Sequence, residues 1–243
     1  MVILSAPAKI HATRIEACLE VWSYILKYNV RSREKIRRRL EETYNKYSVE
    51  PIRGRTKINI FDKEMITLYL VGKYGLGLDE SEIPNKAFSK EIKIEKTVDS
   101  ILKGENVEKV IKKHFRRVDE NIIFRILRFV LTKILLGWED EDALIKVFSL
   151  FEKKFTKYEK NFKSFVRFYV ALRIAEKIVK KEVQNRLEKE ALKHSLCLKF
   201  NMPKNAPSDN FIREIAVNVF KGEEHEVNTV LAFPGPQSLE IRL

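Results

Sequence analysis

The chain has 243 residues and is 44% hydrophobic, enough to build and bury a core, so it is not a disordered basic tail. It carries 47 Lys and Arg against 34 Asp and Glu, a formal net charge of +13, which points to polyanions or acidic surfaces as partners and says nothing of fold. The charge is uneven: residues 1–57 sum to +7, 58–149 to zero, 150–199 to +8 and 200–243 to −2. Two basic blocks therefore flank a neutral middle.

Only Cys18 and Cys197 occur, both in apolar helical sequence, which argues for reduced thiols in a cytoplasmic protein. The amino terminus lacks a basic stretch before its short apolar run and does not read as a signal peptide. The most apolar long segment, Ile122 to Trp138, contains Arg125, Arg128 and Lys133, so no membrane span is expected.

In chain order, residues 7–29 read as a helix with an apolar stripe through Ile10, Ala17, Val21, Trp22 and Ile25. Ser32 is placed to cap a second helix that runs to about Lys46 and holds the densest basic run of the chain. At 100° per residue, Ile36, Leu40 and Tyr44 form its buried seam. Arg31, Lys35 and Arg38 lie on one flank, Arg33 and Arg37 on another. The run is either a solvated face balanced by Glu34, Glu41 and Glu42 or a phosphate-contacting helix. The preference for Arg, whose fork suits phosphate, favours the second.

A short basic loop follows, Arg53-Gly54-Arg55-Thr56-Lys57, in which bare backbone and guanidinium groups can approach a phosphate chain. Asp62 is expected to cap a central helix, apolar nearly all round from Met65 to Tyr74, with Gly75 as its left-handed C-cap. The glycines at 72, 75 and 77 run in the order G-x-x-G-x-G and close a helix. A phosphate-binding loop opens one, so a nucleotide cofactor site is not expected. The segment Phe61 to Asp79, with its core Asp-x-Glu…Leu-Tyr-x-x-Gly-Lys-Tyr-Gly, resembles the signature of a family of uncharacterised proteins from thermophilic archaea. That resemblance implies lineage and a cytoplasmic location and no activity.

Further helices are expected over 88–102, over 105–117, from the Asp119 cap through Leu135, and from the acidic run Glu139–Asp142. Phe148, Phe151, Phe155, Tyr158, Phe162, Phe165 and Tyr169 recur at three to four residues. Lys153, Lys157, Lys160 and Arg167 are interleaved with them. The spacing marks core more than a stacking surface, and the cations remain available on the opposite face. From Glu159 to Leu198 no Pro or Gly interrupts, which predicts one long helix whose basic end carries Lys181 and Arg186. Ser208 is expected to cap a last helix, Val227 to Phe233 to form a strand, and the remainder to be extended, open to a β-hairpin.

The expectation is an all-α protein, a multi-helix orthogonal or bundle array over 1–222 (divisible near 80–86), with an extended tail over 223–243. No zinc spacing, nucleophile elbow or reactive-cysteine motif occurs, and no catalytic residue, metal or cofactor is assigned. The function expected is non-catalytic RNA binding in a ribonucleoprotein particle, with ribosomal RNA as the natural partner. Arg31, Arg33, Lys35, Arg37, Arg38, Arg53, Arg55, Lys57, Lys153, Lys157, Lys160, Arg167, Lys181 and Arg186 would contact phosphates. The alternatives are a helical adaptor docking through its tail, or a metal-dependent nucleic-acid enzyme using the acids at 139–142.

Overall fold

A computed structural model describes residues 11–52, 59–201 and 206–231. All regular structure among them is helical, and the chain divides into two compact units, Met1–Thr156 and Lys157–Leu243.

In the first unit, α1 (Ala12–Lys27) and α2 (Arg33–Lys46) form an antiparallel pair, with Cys18 opposite Tyr44 and Tyr24 opposite Arg39. Ser32 caps α2 by accepting the Lys35 amide, and Ile36, Leu40 and Tyr44 are its buried seam, as expected. α3 (Ile60–Leu70) is the central helix: every residue from Lys63 to Leu70 is buried, and the helix packs on α1, α2, α4 (Asn85–Leu102) and α6 (Glu120–Leu135). Its cap is Asn59, which accepts the Phe61 amide, and Asp62 sits one turn inside. Both positions complement the positive end of the helix, which is why the pattern did not separate them.

Beyond α3 the backbone loosens into a π-turn, Val71–Gly75. Gly72 lies where an added Cβ would collide with the Trp22 indole, so the glycine is a close-packing contact. The left-handed residue that ends this segment is Gly77 (φ 70°), not Gly75. The unit is completed by α5 (Val107–His114), α6 with its Asp119 cap, and α7 (Glu141–Lys154).

The second unit contains α8 (Glu159–Val179), α9 (Arg186–Lys199), α10 (Asp209–Glu214) and α11 (Glu224–Leu231). The single long helix expected from 159 to 198 is two helices. Lys181 turns left-handed (φ 60°), its amide bonds back to Ile178 O, and the Glu182 amide bonds to Lys177 O. This is the Schellman arrangement that normally recruits glycine. Asn185 then caps α9 by accepting the Glu188 amide. Val183 is buried at the corner. Phe148, Phe151, Phe162 and Tyr169 are all buried, so the aromatic series is core. The tail differs from expectation too: Val227 to Leu231 belongs to α11, and the rest of the expected strand and hairpin lies outside the described residues.

Candidate nucleic-acid interface

The basic helix α2 turns its two flanks to different uses. Arg33 forks onto Glu91, with Nη1 and Nη2 donating at 2.7 and 2.9 Å, and also reaches Ala87 O and Asp62. Burial opposes the charge on Arg33, and Glu91 and Asp62 more than restore it, so the guanidinium is more firmly protonated than usual. Arg37 is held by Glu34 at 2.6 Å, and Arg39 by Glu20 at 2.9 Å. Arg33 and Arg39 tie the helix to α4 and α1, whereas Arg37 pairs within α2 itself. Lys35 and Arg38 on the other flank are exposed, as is Arg31 just before the Ser32 cap, and none has an ion pair with a described residue; Arg31 Nε donates only to Asn29 Oδ1.

A buried charge cluster is centred on Glu64 of α3. Its Oε2 accepts from Arg14 Nη1 at 2.8 Å, from the Tyr44 hydroxyl at 3.1 Å and from the Thr67 hydroxyl at 3.1 Å. Its Oε1 accepts from Arg128 Nη2 at 2.8 Å and from the Ile52 amide at 3.1 Å. Burial alone would raise this carboxyl. Arg14 and Arg128 outweigh it and hold Glu64 below the ordinary range. The same arginines grip the chain before the loop, Arg14 on Glu50 O and Arg128 on Ile52 O. The cluster therefore pins the strand of chain from which residue 53 departs. Arg53, Arg55 and Lys57 themselves lie outside the described residues.

The cations outnumber Glu64 here. Lys63, buried beside them, is lowered to about 8 by that burial and by Arg128 and Arg125. A second buried carboxylate, Glu95 of α4, accepts from the Tyr69 hydroxyl at 2.6 Å, from Lys73 Nζ at 2.5 Å and from the Tyr74 hydroxyl at 2.7 Å. Burial works against its charge, and these donors win, so Glu95 too is lowered. Three of the residues around it come from the Leu-Tyr-x-x-Gly-Lys-Tyr stretch, so the motif is explained by what it holds together.

Lys153 is exposed on the last turn of α7. In the second unit Lys157, Lys160, Arg167, Lys181 and Arg186 are all exposed; Lys157 lies over the Tyr158 ring and Lys181 pairs with Glu226 at 2.8 Å. In the acidic run, Glu139 is taken by Lys133 at 3.0 Å. Among the described residues the one grouping with metal-ligand geometry is Glu223, His225 and Glu226, the first two exposed and Glu226 half-buried and already bound to Lys181. Both cysteines are free and buried, and burial pushes the Cys18 thiol to about 12, far from reactive.

Pattern reading missed Arg14, Glu64, Arg128, Glu91 and Glu95. One signal was present: Glu64 and Thr67 are polar residues in the stretch 64–71, which is otherwise apolar or aromatic, and such residues need partners.

The helical architecture and the sorted cations define a basic, all-helical protein. No described helix is long and apolar enough to cross a membrane. Over residues 8–231 the chain matches the family described as "Uncharacterized protein conserved in archaea" (DUF2192), and it belongs to that family. No curated protein and no solved structure gives a significant match.

Proposed function

We propose that this protein is a non-catalytic RNA-binding protein of a ribonucleoprotein particle, the ribosome being the leading candidate. Exposed Arg31, Lys35 and Arg38 contact phosphates, joined by Arg53, Arg55 and Lys57 of the basic loop that follows in the sequence. The observation that supports this most is the division of labour on α2: one flank neutralised by carboxylates, the other free of ion pairs with described residues. The exposed Lys153, Lys157, Lys160, Arg167 and Arg186 add positive surface for the same polyanion.

Affinity for RNA should fall steeply with salt, by a slope of about 0.7 per phosphate contacted on a single strand. Replacing Arg31, Lys35 and Arg38 together by Ala should lower that slope by about 2. The test pairs fluorescence anisotropy on ribosomal RNA fragments with sedimentation of native lysate at low and high salt. Binding indifferent to salt, or unchanged in the triple variant, overturns the reading.

A further inference from the structure

α1 ends at Lys27, and the chain turns into α2 through Asn29, whose φ of 48° is left-handed. Asn is one of the few residues that tolerate that conformation. The turn opens a cleft of about 490 Å³ lined by residues that include Tyr24, Tyr28, Asn29, Arg31, Ser32 and Lys35. The cleft is shallow and open to solvent.

Tyr28 is 61% exposed, an unusual position for a large aromatic side chain in this core-rich unit. Its ring lies 5.3 Å from that of Tyr24 at an interplanar angle of 53°, so the two make a stepped aromatic wall. Cations frame the wall. Lys27 Nζ sits 5.4 Å from the Tyr28 ring centre, and Arg31 and Lys35 line the cleft with no carboxylate among the lining residues. The Arg31 guanidinium is steadied through Nε on Asn29 at 3.1 Å, which leaves its two terminal amino groups without a described partner.

Cations alone would suit any anion, and rings alone would suit any apolar group. Their combination suits a flat π-system joined to a negative charge. We infer that this cleft holds one unpaired nucleotide of a bound RNA strand, its base stacked on Tyr28 and its phosphate on Arg31 and Lys35. The inference rests on the RNA-binding reading and adds that the strand is single at this point, because a base in a duplex has no free face to offer.

The test uses the full chain, with labelled twelve-residue oligouridine, an abasic strand of the same length and a duplex RNA. Tyr28→Ala should bind oligouridine about tenfold more weakly than the unmodified protein, with an unchanged salt slope. Tyr28→Phe should bind as the unmodified protein does. On the abasic strand and the duplex the alanine variant should show no loss. Equal binding of oligouridine by Tyr28→Ala, or an equal loss on the abasic strand, overturns the stacking site and leaves RNA binding in place. No salt-dependent binding of any RNA by the unmodified protein overturns both.

Discussion

Arg14 Nη1 meets Glu64 Oε2 at 2.8 Å, with the arginine 5% and the glutamate 0% exposed. A pair so buried does not stabilise by attraction alone, because desolvation of the two charges offsets most of it. What it does is forbid alternatives, since either charge left alone inside the fold is costly. Glu64→Leu strands Arg14 and Arg128 and should cost about 3–5 kcal/mol of unfolding free energy, read by urea denaturation. The pH dependence has a definite sign. Glu64 is lowered in the folded protein, so its contribution is fully present above the unfolded value of 4.5 and is lost as pH falls through the folded value. Stability of the unmodified protein should drop in acid below about pH 4.5, with a shallower drop in Glu64→Leu.

Lys63 gives a slope of the same sign at the alkaline end. Unfolded, it holds its proton to 10.5; folded, to about 8. Between those values the unfolded chain binds more protons, so this residue makes stability rise with pH. Cys18, raised to about 12, works in the other direction in part of the same window. The readout is therefore the difference between Lys63→Met and the unmodified protein, which should narrow from pH 8 to pH 10. A constant difference would refute the perturbed lysine.

Trp22 is fixed on two sides, by its Nε1 donating to Leu68 O at 2.7 Å and by its stack on Phe88 at 5.3 Å. It cannot retreat from a methyl group at residue 72. Gly72→Ala should therefore destabilise by about 1–3 kcal/mol, the cost of overpacking a filled core. Trp22→Phe should cost stability alone and rescue part of the Gly72→Ala loss in the double variant. That non-additivity in thermal unfolding identifies the contact.

Caps and seams were legible because they are local. Ser32, Asp119 and Ser208 each sit one step before their helix, and Ile36, Leu40 and Tyr44 repeat at helical spacing. The break at Lys181 was not, because no glycine or proline announces it; a lysine takes the left-handed turn, with Val183 buried at the corner. The charge clusters were illegible for a different reason. Glu64 meets partners 50 and 64 residues away, and Arg33 meets Glu91 at a separation of 58. In a basic run every arginine reads alike, and only the fold decides which ones acquire carboxylates.

That sorting yields the sharpest contrast between neighbouring residues. Arg33 is forked onto a fully buried Glu91, so Arg33→Ala leaves a carboxylate without its partner. It should destabilise the protein by about 3 kcal/mol, with RNA affinity of the folded fraction little changed. Arg38, one face over and exposed, has no ion pair with a described residue. Arg38→Ala should leave unfolding within about 0.5 kcal/mol and reduce the salt slope of RNA binding by about 0.7. Parallel denaturation and salt-titrated anisotropy on the two variants separate the roles. If Arg33→Ala lowers the slope and Arg38→Ala does not, the RNA-facing flank of α2 has been assigned to the wrong side.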